Sequence, residues 1–79
     1  MDVHVNADGE RIVAQPSGRI DSTTAPAFGE ALLAAVHAHP KPLDVDFANV
    51  LYVSSAGLRV LVAVARELAA RGQIGRAHV

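Results

Sequence analysis

The sequence contains no cysteine and no tryptophan, and aromatic residues of any kind are few. Without cysteine, disulfides and thiolate chemistry are excluded, and a zinc site would need histidines and carboxylates alone. One tyrosine and two phenylalanines are too few for a base-stacking platform. Seven basic and eight acidic side chains are scattered singly along the chain, so no basic stripe forms. We therefore expect no nucleic-acid partner.

Long apolar runs are also absent, although 51% of the residues are hydrophobic. No stretch is long enough to span a membrane, and the first residues, MDVHVNADGERI, lack the basic and apolar segments of an export signal. We therefore expect a cytoplasmic protein without direct membrane insertion. A chain of 79 residues forms one domain at most and buries only about 60% of its unfolded surface.

The pattern of the N-terminal half predicts a β-hairpin followed by a helix. Two apolar segments, about residues 2–6 and 10–16, flank Asp8-Gly9, which is a tight-turn signal. Pro16 has no N–H group, which favours a strand end or a sheet edge. In STTAPAFGEALLAAVHAH an apolar residue recurs at every fourth position, as in an amphipathic helix. Candidate caps of this helix are Ser22, Thr23 and Thr24, Pro26 suits its first turn, and Pro40 ends it.

The second half predicts a strand and a second helix. Leu43, Val45 and Phe47 alternate with Asp44 and Asp46, which predicts a strand with one apolar and one polar side. A helix from about residue 56 to residue 70 follows, with its stop at Gly72. Its predicted apolar face consists of Leu58, Leu61, Val62, Ala65 and Leu68. The order hairpin, helix, strand, helix predicts an α/β sheet with helices packed on it, in which the third strand runs parallel to its neighbour.

The last six residues, IGRAHV, continue none of these patterns. Codons that encode them can be chosen to match the start of a sequencing adapter followed by a stop. We therefore expect Ile74–Val79 to be a non-native tail, with the natural gene continuing past about Gly72, and we assign no function to Arg76 or His78. An ordinary polar tail is the alternative.

Two stretches of the chain resemble the STAS domain, the fold of bacterial anti-sigma factor antagonists. Residues 17–28, SGRIDSTTAPAF, match a Gly-x-Ile/Leu-Asp motif before the first helix. Residues 43–62, LDVDFANVLYVSSAGLRVLV, match a strand that ends in a Ser/Asp-Ser-x-Gly-Leu turn. The resemblance covers the chain to about Gly72. It implies a STAS-like α/β fold with a mixed sheet, and because family members continue with one more strand and a closing helix, it implies that both are missing here.

The resemblance also implies a function and a site. Ser55 matches the residue that is phosphorylated in family members, and Ser54 stands where the best-known antagonists often have aspartate. The unphosphorylated protein would bind an anti-sigma factor that is also a serine kinase and so release a sigma factor, until the kinase phosphorylates Ser55 and a serine phosphatase resets it. No catalytic activity, cofactor or metal is implied. The implied partner-binding residues are Asp21, Ser22, Thr23, Thr24, Ser54, Ser55, Ala56, Gly57 and Arg59.

Other interpretations of the same residues remain open at this point. Ser55 can be a helix cap and nothing more, because a serine at a helix start normally accepts a backbone N–H bond. Asp44 and Asp46 fit the polar side of a strand better than a catalytic pair, and His37 and His39 fit a helix end better than a metal site. A STAS subunit of a membrane transport system, such as a lipid-transport ATPase, is the alternative function, with the same surface used for constitutive assembly.

Overall fold

The fold is an α/β arrangement of one mixed sheet and two helices, as predicted. The computed structural model describes residues 1–7 and 9–72 and the backbone of residues 76–78. The elements are β1 (Asp2–Asn6), β2 (Ile12–Ile20), α1 (Ala25–Ala38), β3 (Leu43–Asp46), β4 (Asn49–Val53), α2 (Ser55–Ala70) and β5 (Arg76–His78). The predicted extents of both helices are confirmed to within a few residues.

Strand β2 is the centre of the sheet. It pairs antiparallel with β1, which confirms the hairpin, and parallel with both β3 and β4. Strands β3 and β4 lie end to end along the same side of β2. There β3 pairs with residues 12–14 and β4 pairs with residues 17–20. The segment LDVDFANVLYV, expected to be one strand that ends in the serine turn, is therefore two short strands. The Asp46 carboxylate accepts a 2.9 Å bond from the Ala48 N–H, which turns the chain between them.

Pro16 lies in the middle of β2, not at a strand end or sheet edge as predicted. On one side it is the partner of Val3 in β1. On the other side it falls between the residues that pair with β3 and those that pair with β4. The gap between the two parallel partners is the reason that a residue without an N–H group fits inside this strand.

The outer edge of β3 differs from the expectation that the last strand is missing. Residues Arg76–His78 form β5, which pairs in parallel with Asp44–Asp46. The origin of residues 74–79 is a separate question, and their assignment as a non-native tail stays a prediction. Ile74 and Val79 lie outside the described residues, and the turn residue Asp8 does as well.

Helix α1 packs on the sheet through the apolar face predicted for it. The side chains of Phe28, Leu32 and Val36 are fully buried. They meet buried residues of the sheet, namely Ile12, Ala14, Ile20, Leu43 and Val45. At about 1.5–3 kcal/mol for each large apolar side chain removed from water, this contact contributes several kcal/mol to the stability of the domain.

Helix α2 buries only part of the apolar face predicted for it. Its buried residues are Gly57, Val64 and Leu68, so the prediction is confirmed for Leu68. Leu58 and Val62, which were assigned to the apolar face, are 56% and 51% exposed. The apolar residues of α2 cover more than one face, so a spacing of three or four could not tell which face would be buried.

The two aspartates of β3 both make structural contacts, although Asp44 is not on a solvated side of the strand as expected. Asp44 is buried and forms a two-point ion pair with Arg11, at 2.7 and 2.8 Å, on the loop after β1. The hydrogen bond to Asp44 raises the pKa of the Arg11 guanidinium above its usual value. Asp44 is therefore a buried clamp between the hairpin and β3, not a solvated residue on the polar side of a strand.

Candidate functional site

The two segments predicted to bind a partner begin at neighbouring strand ends. Ile20, the last residue of β2, is paired with Val53, the last residue of β4. The Ser54 N–H then donates to the Ile20 carbonyl at 2.7 Å. Because the strands are parallel, the turn after β2 and the start of α2 emerge at the same edge of the sheet, where open α/β sheets commonly bind ligands. Residues 21–24 and 54–59 form the candidate site.

Asp21 organises the first of these segments. Its Oδ1 atom accepts bonds from the Thr23 and Thr24 N–H groups at 2.9 and 3.2 Å. These backbone bonds to Thr24 and Thr23 lower the pKa of the Asp21 carboxyl, with a smaller contribution from the positive charge of Arg19. Thr24 closes the turn, because its hydroxyl accepts from the Asp21 N–H and donates to the Arg19 carbonyl. Of the three candidate caps of α1, Thr24 has the N-cap position, but its side chain makes no cap hydrogen bond.

Ser54 and Ser55 are neighbours with different tasks. Ser54 is the N-cap of α2, and its Oγ atom accepts a 3.3 Å bond from the Gly57 N–H. Ser55 is the first residue of the helix and is exposed. Among the described residues, no partner of the Ser55 hydroxyl is found. The cap is therefore Ser54, and the hydroxyl of Ser55 is available for another role.

Gly57 has a packing role that the sequence analysis did not predict. The family resemblance implied only that it belongs to the partner-binding residues. Gly57 is instead buried, and a Cβ atom there would lie 2.7 Å from Cγ2 of Ile20 and 3.0 Å from Cγ1 of Val53. The glycine lets the first turn of α2 rest on the ends of β2 and β4. It belongs underneath the site, while Ser55 and Arg59 are on its exposed surface.

The structure adds residues that the sequence did not single out. The Arg19 guanidinium lies 4.5 Å from the centre of the Tyr52 ring, a cation–π contact between paired strands at the edge of the site. Leu51 is 82% exposed and, with Leu58 and Leu61, lines an open apolar groove between β4 and α2. An alternating strand pattern predicts pairs such as Arg19 and Tyr52 only once the strand register is known.

Other candidate sites have structural explanations. His37, near the end of α1, lies 3.6 Å from the Glu67 carboxylate of α2, which also contacts Arg71 at 3.7 Å. Within the described ranges, no group of three metal-ligating side chains comes together. In the part of the chain that the structure describes, no helix is both long and apolar enough to cross a bilayer.

Comparison with known proteins identifies the class to which this fold and site belong. The family model described as "Mlab, STAS domain" matches residues 3–74. The chain therefore belongs to the STAS domain family, which confirms the resemblance found in its two motifs. No curated protein sequence matches the chain closely.

Solved structures give more particular relatives. The chain is similar to an anti-sigma factor antagonist from Mycobacterium paratuberculosis, with 32% identity and a TM-score of 0.84 over 96% of this chain and 66% of that one. It has the fold of the antagonist SpoIIAA in its unphosphorylated form, with 15% identity and a TM-score of 0.78 over 96% of this chain and 71% of that one. It also matches part of Mglu, with 22% identity and a TM-score of 0.83 over 96% of this chain but 19% of that one.

Proposed function

We propose that this protein is an anti-sigma factor antagonist that is switched by phosphorylation of Ser55. Its unphosphorylated form binds a cytoplasmic anti-sigma factor that is also a serine kinase, and a sigma factor is released. The proposal is supported by the likeness to the mycobacterial antagonist and by one observation above all: Ser54 caps α2, which leaves the exposed Ser55 hydroxyl without a structural task. The protein itself is a substrate and a binding module and has no catalytic role.

The chemistry of the switch follows from the position of Ser55. The kinase transfers the terminal phosphoryl group of ATP to the Ser55 oxygen. The bond to the ADP oxygen breaks, a bond to the serine oxygen forms, and the hydroxyl proton is lost. A phosphatase reverses the state with water and releases inorganic phosphate. The product carries a charge of about −1.5 to −2 at the N-terminus of α2, where unpaired N–H groups favour an anion.

The switch therefore acts on the partner and not on the fold. A phosphate at a favourable helix end does not melt α2. A docking surface that fits a neutral hydroxyl between Asp21–Thr24 and Arg59 has to accept a bulky anion instead. The loss of binding comes from that mismatch, and the exposed positions of Ser22, Thr23 and Ser55 put the change at the surface.

Binding of the cognate anti-sigma factor kinase tests this proposal. We expect Ser55→Ala to bind with or without ATP and Ser55→Asp to lose most binding. Ser55→Asp should keep a melting temperature within a few degrees of the wild type, because the charge lies at a favourable helix end. A Ser55→Asp protein that is unfolded would contradict the mechanism, since the serine would then be structural.

Mass spectrometry after incubation with kinase and ATP locates the modification. We expect one phosphate on Ser55, and Ser54→Ala is the matched control that should still be modified. Hydrogen exchange in the complex should show protection in residues 21–24 and 54–59. Phosphate on Ser54, or protection confined to β1 and β2, would contradict the site.

A STAS subunit of a membrane transport system, such as a lipid-transport ATPase, is the second candidate. Two observations favour it: Ser54 replaces the aspartate that often precedes the acceptor, and Leu51, Leu58 and Val62 give an exposed apolar surface suited to permanent assembly. Neighbouring genes separate the candidates, with kinase and sigma-factor genes expected for the first and transporter genes for the second.

A further inference from the structure

Two arginines of α2 have no polar partner among the described residues, and they lie two turns apart on the helix. Six basic side chains are described, and four are engaged. Arg11 pairs with Asp44, Arg19 lies over Tyr52, Lys41 donates to the Ala7 carbonyl, and Arg71 contacts Glu67. Across the described part of the chain, no ion pair or hydrogen bond of the Arg59 or Arg66 side chain is found, and both residues are exposed.

The two arginines flank an exposed apolar strip on the outer face of α2. Leu58 and Val62 are more than half exposed, and they line a shallow surface groove with Arg59, Ala63 and Arg66. At 100° and 1.5 Å per residue, these five positions cover about 140° of the helix, opposite the buried Gly57, Val64 and Leu68. The arginines are seven residues apart, so they are about 10.5 Å apart along the helix axis.

We propose that this strip, defined by Leu58, Arg59, Val62, Ala63 and Arg66, binds an acidic amphipathic helix of the protein partner. Apolar side chains of that helix cover Leu58 and Val62, and two carboxylates spaced by about two turns pair with Arg59 and Arg66. A helix that binds in a groove is recognised through side chains spaced by one or two helical turns. Guanidinium groups bind carboxylates through two parallel hydrogen bonds. The inference names the chemistry of the partner in the proposed function and rests on it.

The two positive charges of the strip favour an acidic helix over a membrane surface or a second copy of the chain. A membrane surface recruits clusters of about four to eight basic side chains, whereas this strip has two and the whole chain has a net charge of −1. A second copy that docks through the same strip would bring like-charged arginines together. Neither has the complementarity of a helix with two carboxylates.

The strip also connects to the switch. Arg59 is four residues after Ser55, so the two side chains lie on the same side of the helix, one turn apart. A phosphate on Ser55 pairs with Arg59 and withdraws it from the partner's carboxylate. The same phosphate repels that carboxylate. Phosphorylation therefore weakens the contact at Arg59 and leaves the contact at Arg66 intact.

Synthetic helical peptides provide the probe. The first peptide has leucines at two positions a turn apart and glutamates seven residues apart, and the second has lysines in place of the glutamates. Binding to the full 79-residue chain is measured at concentrations where it is monomeric by sedimentation velocity. We expect the acidic peptide to bind at least about tenfold more tightly than the basic one. Arg59→Glu with Arg66→Glu should reverse that order, and Arg71→Glu, at the residue that follows the helix, is the control that should not.

Three results would overturn the proposal. If the acidic and basic peptides bind with equal affinity, the strip does not select its partner by charge. Binding to vesicles of three parts phosphatidylcholine and one part phosphatidylglycerol that is lost in Arg59→Glu/Arg66→Glu would make the strip a lipid-binding surface. A dimer that dissociates on Val62→Lys would assign the strip to a second copy.

A double-mutant comparison tests the link to Ser55. We expect Ser55→Asp to weaken binding of the acidic peptide, and Arg59→Glu to have a smaller effect in that background than alone. The effect of Arg66→Glu should be the same in both backgrounds. If Arg59→Glu weakens peptide binding by the same factor with and without Ser55→Asp, the link between Ser55 and Arg59 is contradicted.

The cognate kinase separates this inference from the proposed function. If the kinase binds the wild type and Arg59→Glu/Arg66→Glu equally well, the strip is not its docking site, although the function stands. If the peptides behave as expected and no anti-sigma factor kinase binds, the function fails and the strip remains a site for another acidic helix.

Discussion

Ser54 and Ser55 are adjacent and chemically identical, yet among the described residues only the Ser54 hydroxyl has a hydrogen-bond partner. The Ser54 hydroxyl accepts the Gly57 N–H at 3.3 Å, whereas Ser55 is exposed at the first helical position. We expect Ser54→Ala to lower the free energy of unfolding by about 1 kcal/mol and Ser55→Ala to change it by less than about 0.5 kcal/mol. Urea denaturation of the two variants checks this. A larger loss for Ser55→Ala would mean that the cap has been assigned to the wrong serine.

Gly57 is the residue of the site least tolerant of a methyl group. An added Cβ would lie 2.7 Å from Cγ2 of Ile20 and 3.3 Å from its carbonyl oxygen, and the backbone cannot move as a side chain could. The gain in helix propensity is about 1 kcal/mol, and overpacking costs about 1–3 kcal/mol, so we expect Gly57→Ala to be destabilising on balance. Thermal denaturation beside Ser55→Ala, an exposed change in the same turn, measures it. A Gly57→Ala protein as stable as the wild type would show that the first turn of α2 is loosely packed.

Asp21 gives the site a dependence on pH whose sign can be worked out. Backbone N–H bonds from Thr24 and Thr23 lower its pKa in the folded state, so the carboxylate contributes stability above its unfolded pKa of about 3.9. That contribution is lost as the pH falls through the lower, folded value. We expect the stability difference between the wild type and Asp21→Asn to shrink as the pH is lowered below about 4. A difference that is constant from neutral pH to acid would contradict this role.

The contact between the two helices depends on another glycine. A Cβ atom on Gly29 of α1 would lie 2.8 Å from Cγ1 of Val60 on α2. We expect Gly29→Ala to destabilise the wild type, because the clash exceeds the gain of about 1 kcal/mol in helix propensity. In a Val60→Ala background the clash is gone, so the same change should be stabilising. Denaturation of the four proteins of this cycle measures the coupling, and equal effects in both backgrounds would place the helices farther apart.

Some features of the helices and strands could be predicted from the sequence, and others could not. Helix α1 was predictable because Phe28, Leu32 and Val36 define one face only, and the same residues are buried. Helix α2 was located correctly, but apolar residues on several faces hid which side packs on the sheet. The break between β3 and β4, and the place for Pro16 opposite it, depend on strand pairing across the sheet. The motifs predicted where the candidate site lies, but one hydrogen bond, from the Gly57 N–H to the Ser54 hydroxyl, decides which of the two serines caps α2.

For the whole molecule, the exposed sheet edge is not the one expected from the sequence. A missing last strand would have left β3 as an open edge, but β5 pairs with β3 along Asp44–Asp46. Strand β4 pairs only with β2 among the described strands, so its other side has free backbone donors and acceptors. Its residues, NVLYV, include no charge and no proline, and Leu51 is 82% exposed. Edges without such protection pair with other chains.

We therefore expect the 79-residue chain to associate at raised concentration through β4, and a net charge of −1 gives little repulsion against it. Leu51→Lys puts a charge on this edge and should shift the onset of association, measured by light scattering, to clearly higher concentration. Leu58→Lys is the matched control, because it removes a similar exposed leucine from α2 and leaves the edge intact. If the two substitutions raise the onset concentration of association equally, association arises from exposed apolar side chains in general and not from the β4 edge. If neither does, and the wild type stays monodisperse with a sharp reversible melting transition, the β4 edge is protected in solution and the prediction is wrong.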